Sequence, residues 1–94
     1  MEIKLLTTEE IARAMGKLPG WTLDGKEIRT TFEFRDFTEA MGFVVSVALL
    51  AERANHHPDI DIRWNTVALA LSTHSAGGLT EKDFALASRI AALR

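Results

Sequence analysis

The fold is decided by residues 37–58, which read FTEAMGFVVSVALLAERANHHP. Asp36 or Thr38 is a suitable N-terminal cap for a helix, and the apolar residues that follow recur at the three- and four-residue spacing of helical faces. Pro58 stops the helix, because the residue before a proline is pushed out of helical geometry. The stretch therefore predicts the longest helix of the chain, over about residues 37–55.

This helix is apolar on two sides, and a single sheet can cover only one of them. We expect the first of two stripes to pack on the sheet and the second to meet another subunit, which predicts a homodimer or homotetramer. A helix buried on all sides in a small core is the alternative. The first stripe comprises Phe37, Met41, Val44, Val45, Ala48 and Leu49, and the second comprises Phe43, Val47, Leu50 and Ala54.

A short helix and two strands are predicted before the long helix. Thr7 or Thr8 caps the first helix, and a glutamate three residues after Thr7 completes a capping box. Strand-like residues 21–24 and 28–34 are joined across an Asp-Gly pair that favours a hairpin turn. Alternation in the second strand predicts a half-buried antiparallel sheet. Its apolar face comprises Ile28, Thr30, Phe32 and Phe34.

Two further strands and a helix are predicted after Pro58. Residues 60–64 and 67–73 are strand-like, with a turn at residues 65–66 between them. Thr80 and Asp83 have the spacing of a capping box for a last helix that runs to about residue 93. The order αββαββα predicts an α+β fold.

Composition narrows the possible functions. The 94 residues suit one domain, over residues 1–94, and the net charge of -2 with scattered Lys and Arg argues against direct nucleic-acid binding. The longest apolar run falls short of the roughly 18 residues that suggest a bilayer span, so we expect no membrane partner. The chain has no cysteine, which excludes disulfides and thiolate metal sites. With no signal-peptide pattern at the N-terminus, we expect a cytoplasmic protein.

The histidines are the candidate catalytic residues. His56 and His57 are adjacent at the end of the long helix, and His74 follows the last strand. Histidine is the side chain that exchanges protons near neutral pH. Glu52 lies four residues before His56, and both this carboxylate and the helix C-terminus favour a protonated His56 imidazole. The pattern predicts His56 as a general acid, with His57 or His74 as the base.

Plainer interpretations of these residues stay open. A histidine at a helix C-terminus can simply cap carbonyl groups. Three histidines can also bind a metal ion, although adjacent residues of an extended chain point apart, and we therefore expect no metal site. Trp64 suits the core or a pocket wall, and Asp83 suits a structural helix cap.

A spaced set of residues in the second half of the chain carries a family resemblance. The set comprises Glu52, the run His56-His57-Pro58, Trp64, His74 and Asp83. It resembles the signature of the pterin-4a-carbinolamine dehydratases, and similarity to this family extends over nearly the whole chain. The resemblance implies an αββαββα fold with a four-stranded antiparallel sheet, helices packed on one face, and dimers or tetramers.

The same resemblance implies a reaction and its partners. The family dehydrates 4a-hydroxytetrahydrobiopterin, the product left when an aromatic amino acid hydroxylase has used its tetrahydropterin, to quinonoid dihydropterin. No metal or cofactor takes part. A pterin is therefore the expected substrate, and a hydroxylase is the expected pathway partner. Some animal relatives also act as dimerisation cofactors for a transcription factor through the long helix, so an oligomeric binding protein is the alternative function.

The resemblance also implies which residues form the site. Many family members have an aspartate where this chain has Asn55, which supplies no charge. The implied catalytic residues are His56, His57 and His74, with Glu52 as a supporting carboxylate. The implied pterin contacts are Asn55, His56, His57, Ser72, Thr73, His74 and Ser75.

Overall fold

The computed structural model describes residues 3–94, and within them it contains three α-helices, four β-strands and one short 3₁₀ turn. The predicted order αββαββα and the α+β class are confirmed. The elements are α1 (Thr8–Met15), β1 (Thr22–Asp24), β2 (Glu27–Glu33), α2 (Phe37–Ala54), β3 (Asp59–Arg63), β4 (Thr66–Leu71) and α3 (Glu81–Ala91), with the 3₁₀ turn at His74–Ala76.

The four strands form one antiparallel sheet in the order β1-β2-β4-β3. The two central strands, β2 and β4, pair with Ile28 opposite Leu71 and Phe32 opposite Val67. Alternate residues of both strands are buried on the face that the helices cover, as the predicted alternation requires. The opposite face of β2 carries exposed Arg29.

The face that α2 presents to the sheet differs from the prediction. Phe43 packs its ring 4.8 Å from Phe32 and 5.0 Å from Phe34. The first predicted stripe is instead largely exposed, because Val45 and Leu49 are 55% and 68% exposed. The buried face combines large residues with alanines, and small side chains let a helix approach a sheet closely. The buried residues of α2 are Ala40, Phe43, Val47 and Ala51.

The hairpin turn between β3 and β4 also differs from the prediction. The turn lies at Trp64 and Asn65, and Thr66 already belongs to β4. Trp64 has φ 52°, in the left-handed region, and its side chain is exposed. The expectation that Trp64 lies in the core is therefore wrong. Asn65 holds the turn in place by donating from Nδ2 to the carbonyl of Phe34 at 2.8 Å.

The capping boxes of α1 and α3 form as predicted. Thr7 accepts a hydrogen bond from the backbone N–H of Glu10, and the Glu10 carboxylate accepts one from the backbone N–H of Thr7. This contact lowers the pKa of Glu10. Thr80 and Asp83 make the equivalent exchange at the start of α3. No helix within residues 3–94 combines the length and apolarity needed to cross a bilayer.

The orientation of α2 predicts opposite outcomes for substitutions on its buried side and on its exposed side. Val47→Asp should abolish cooperative unfolding, because an uncompensated buried carboxylate costs several kcal/mol out of a typical total of about 5–15 kcal/mol. Val45→Asp should keep a native circular dichroism spectrum and a cooperative transition, since this side chain is half exposed. The reverse result would show that the first predicted stripe packs on the sheet after all.

Candidate active site

The end of α2 gives the two adjacent histidines different environments. Asn55 ends the helix in a left-handed conformation, φ 50° and ψ 45°, which asparagine adopts more readily than most residues. The chain leaves the helical path at this point. His56 turns inward, with a side chain 10% exposed, whereas the His57 side chain is 58% exposed.

The buried partner of His56 is Asp83, at the start of α3. His56 Nε2 lies 2.6 Å from Asp83 Oδ1, and Asp83 is fully buried. The second carboxylate oxygen, Oδ2, accepts from the hydroxyl of Thr73 at 2.8 Å and from the backbone N–H of Thr80 at 2.9 Å. One carboxylate thus joins three parts of the chain: the segment after α2, the segment after β4 and the N-terminus of α3.

The direction of each hydrogen bond in this network follows from its acceptors. Because a carboxylate oxygen accepts, the Thr73 hydroxyl donates its only proton to Asp83. The Thr80 hydroxyl must then donate to Thr73 Oγ1 across 2.7 Å, while it accepts from the backbone N–H of Lys82. The carboxylate and its hydroxyl partners are therefore fully satisfied away from water.

The Asp83 contact also fixes the tautomer of His56. Nε2 must carry a proton to donate to the carboxylate. Nδ1 has no hydrogen-bond partner among the described residues. This second ring nitrogen is consequently the atom at which His56 can exchange a proton with a ligand.

The expected contact between Glu52 and His56 is wrong. Glu52 Oε1 lies 2.9 Å from Nε2 of His57 instead. Both partners are largely exposed, so water screens this pair far more than the pair formed by His56 and Asp83. His56, the inner of the two histidines, thus takes its carboxylate partner from a distant part of the sequence. The helix supplies a carboxylate, Glu52, only to the exposed His57.

An open cleft of about 380 Å³ brings the three histidines together. His74 reaches it because β4 ends at Leu71 and the chain folds into the 3₁₀ turn beside the end of α2. The volume lies within the range of small-molecule sites, about 300–1,000 Å³. The lining residues are Ile3, Asn55, His56, His57, Ser72, Thr73, His74, Ser75 and Lys82.

The residues of the cleft have unequal freedom to contact a ligand. Ser72 donates its hydroxyl to the carbonyl of Lys26 at 2.8 Å, and the Thr73 hydroxyl is committed to Asp83. His74 and Ser75 are exposed. Among residues 3–94, His74 also forms no ion pair, in contrast to the other two histidines.

Two contributors to this site were missed or undervalued by the sequence reasoning. Asp83 fits a structural cap from its spacing, and it is one, but its other oxygen binds His56. Its place in the spaced signature was the signal for this second contact. Lys82, the next residue toward the helix start, lines the cleft and had no sequence signal of its own. In the described part of the chain, no group of three or more His, Asp or Glu side chains could hold a metal ion.

The chain is similar to proteins of one known family over nearly its whole length. The family model for pterin 4 alpha carbinolamine dehydratase matches residues 4–93. A Roseiflexus castenholzii protein, provisionally named as such a dehydratase, is 60% identical over 86 residues, or 92% of each chain. A crystal structure of a transcriptional coactivator/pterin dehydratase from Brucella melitensis superposes with a TM-score of 0.91 at 39% identity, covering 96% of this chain and 98% of that one.

A second solved structure is more distant. It is a pterin dehydratase-like protein identified as a RuBisCO assembly factor in the alpha-carboxysome. Its TM-score is 0.67 at 27% identity, and the match covers 79% of this chain and 88% of that one. The fold thus occurs in a transcriptional coactivator/pterin dehydratase and in a dehydratase-like protein with an assembly role.

Removal of the Asp83 side chain should destabilise the protein strongly. Asp83→Ala is expected to lower the free energy of unfolding by about 3–5 kcal/mol, because it leaves buried donors without their acceptor. The control is Asp61→Ala, which removes an exposed carboxylate 3.3 Å from Arg63 and should cost less than about 1 kcal/mol. Urea denaturation measures both, and equal costs would contradict the buried network.

Proposed function

Since the chain belongs to the pterin-4a-carbinolamine dehydratase family, we propose that it converts 4a-hydroxytetrahydrobiopterin to quinonoid dihydropterin and water. The observation that carries this proposal is the convergence of His56, His57 and His74 on one cleft, with His56 held by a buried carboxylate. The cleft is large enough for a pterin ring, and most of the side chains that line it are polar.

The reaction requires one proton to be delivered and another to be removed. The C4a–O bond breaks, and the departing hydroxide must be protonated to leave as water. The N5–H bond also breaks, and its electron pair forms the C4a=N5 double bond of the quinonoid product. An acid and a base positioned at the two ends of this C4a–N5 unit therefore accelerate the reaction, typically by about 10²–10⁴-fold.

We assign the acid to His56 and the base to His74. Asp83 orients the His56 ring through Nε2 and stabilises a positive charge on it, which leaves Nδ1–H to protonate the departing oxygen. His74 has no carboxylate partner among residues 3–94 and is exposed in the cleft, which suits an imidazole that accepts the N5 proton. His57, with Glu52 as its supporting carboxylate, and Asn55 are assigned to binding and orienting the ring.

The remaining contacts of the ring are assigned to the segment after β4. Ser75 and His74 offer side chains, whereas the hydroxyls of Ser72 and Thr73 are already donated within the protein. Thr73 therefore acts mainly by holding Asp83, and Ser72 by fixing the segment against Lys26. Of the four pterin contacts that the resemblance implied in this segment, His74 and Ser75 are therefore assigned to direct side-chain contact, and Ser72 and Thr73 are not.

The proposed setting of the reaction is tetrahydrobiopterin recycling in the cytoplasm. The substrate is formed when an aromatic amino acid hydroxylase uses its tetrahydropterin, so such an enzyme is the proposed pathway partner. The proposed chemistry uses imidazoles alone and needs neither a metal ion nor a cofactor.

We also propose that the protein assembles with further copies of itself. Phe37, Val45 and Leu49 form an exposed apolar stripe on α2. Every residue of the edge strand β3 is exposed, including Ile60 and Ile62. An apolar helix face and an unpaired strand edge are both surfaces that soluble proteins normally cover. This surface replaces the second predicted stripe, whose large residues Phe43 and Val47 are buried in the core.

A binding role is the second candidate function. The exposed stripe on α2 favours it, since nothing in the dehydration chemistry needs that surface. The two solved structures support the same role, since one is of a transcriptional coactivator/pterin dehydratase and the other is of a RuBisCO assembly factor. In this reading the chain is an oligomeric cofactor for a transcription factor or another protein. Loss of dehydratase activity with unchanged partner binding would separate the two functions.

Two matched carboxylate substitutions test the assignment of His56. Asp83→Asn should lower kcat/KM by about 10²-fold, because it removes the carboxylate that orients His56. General acid–base catalysis contributes about 10²–10⁴-fold, and His56 is the acid of the acid–base pair. Glu52→Gln should lower it by no more than about threefold, since its contact with His57 is exposed. Initial rates with freshly generated 4a-hydroxypterin give both values. Equal losses would contradict the assignment, and a larger loss for Glu52→Gln would return the main supporting role to Glu52.

Chelation tests the metal-free mechanism. Activity should be unchanged after dialysis against EDTA, because imidazoles perform both proton transfers. Loss of activity restored by added zinc would replace the acid–base assignment with a metal site. A mock-dialysed sample serves as the control for slow inactivation.

Light scattering tests the proposed assembly. The wild-type protein should be a dimer or tetramer at micromolar concentration, and Leu49→Asp should reduce the assembly, because it places a charge on the apolar stripe. Leu93→Asp, at an exposed apolar residue just after α3, should leave the assembly intact. A monomeric wild-type protein would contradict both the assembly and the oligomeric binding function.

A further inference from the structure

A second pocket, of about 270 Å³, lies between α2 and α3, next to the histidine cleft. His56 and Lys82 line both pockets, so the two spaces are neighbours on either side of these residues. Arg53 from the last turn of α2 and Arg89 from the last turn of α3 contribute further cations. The remaining wall is apolar and comprises Leu50, Ala54, Ala85 and Leu86.

The charge of this pocket is one-sided. No acidic side chain of residues 3–94 lines it. Arg53, Lys82 and Arg89 also form no ion pair within that range. Arg29 and Arg63, by contrast, each lie 3.3 Å or less from a neighbouring carboxylate. The pocket therefore brings three cations together with no carboxylate among its lining residues.

Clustered cations without counter-charges repel each other, and an anion in the pocket would relieve that repulsion. Arginine is well suited to such an anion, because its planar guanidinium binds phosphate or carboxylate oxygens in pairs. The two arginines come from facing helices, so a single oxyanion between them could meet both. A volume of about 270 Å³ leaves ample room for one such group.

We propose that this pocket binds an anionic group, a phosphate or a carboxylate, carried on the side chain of the pterin whose ring occupies the histidine cleft. The proposal rests on the proposed function, because the ring must occupy the histidine cleft for its side chain to reach the neighbouring pocket past the shared residues His56 and Lys82. It adds to the proposed function a preference for pterins with a charged side chain over pterins with a neutral one. A neutral hydroxylated side chain, as in biopterin, fills the same space without using the cations.

Binding of a matched ligand pair tests this substrate class. Isothermal titration should show that 7,8-dihydroneopterin 3′-phosphate binds the wild-type protein at least about tenfold more tightly than neutral 7,8-dihydroneopterin. Pterin-6-carboxylate, compared with neutral 6-hydroxymethylpterin, distinguishes a carboxylate from a phosphate as the preferred anion. The advantage should fall as salt concentration rises, because it is electrostatic.

Arginine variants locate the preference in the pocket. The affinity ratio of phosphorylated to neutral dihydroneopterin should fall severalfold in Arg53→Gln and in Arg89→Gln. Arg63→Gln removes the same charge from β3, outside both pockets, and should keep the ratio. Circular dichroism confirms that each variant is folded, and the salt dependence of the wild type supplies a test that needs no variant.

The outcomes separate this inference from the dehydratase proposal. If neutral pterins bind and 4a-hydroxypterin is dehydrated, but neither anionic ligand gains affinity, the anion pocket is refuted and the dehydratase stands. If no pterin binds at all, both proposals fail. An anionic advantage that survives in both Arg53→Gln and Arg89→Gln would overturn the location of the site.

Discussion

The fully buried Asp83 carboxylate is the contact on which the rest of the site depends. It receives donors from His56, Thr73 and the backbone of Thr80, and these three lie after α2, after β4 and at the start of α3. A buried carboxylate is stable only when its oxygens are paired. The same hydrogen bonds that satisfy it therefore fix where the two loops meet and how the inner histidine is oriented.

Most of the fold could be predicted from sequence because its signals are local. The alternation of β2, the two capping boxes and the stop before Pro58 all act within a few residues of where they are read. The facing side of α2 could not be predicted in this way. Large apolar residues lie on both sides of that helix, and the choice depends on the aromatic cluster around Phe43 and on the close approach that Ala40 allows.

The same division between local and non-local information explains the site. The sequence places three histidines where they can converge, and the structure shows them lining one cleft. Helical spacing predicted a contact between Glu52 and His56. The left-handed conformation of Asn55 takes His56 off the helical path, so that His57 contacts Glu52 instead. The true partner of His56 is 27 residues away, beyond the reach of any periodicity. The cationic pocket likewise arises from two helices brought together by packing.

The role proposed for Asp83 is to hold His56 for proton exchange with a pterin in the cleft. Nitrogen-15 NMR of the three histidine side chains, recorded with and without 7,8-dihydrobiopterin, tests it most directly. We expect His56 to carry a proton on Nε2 in the free protein, and the pterin to shift the His56 signal at Nδ1 together with the signals of His74 and His57. A His56 ring protonated at Nδ1 but not at Nε2 would contradict this role. So would imidazole signals that the pterin leaves unchanged in all three histidines.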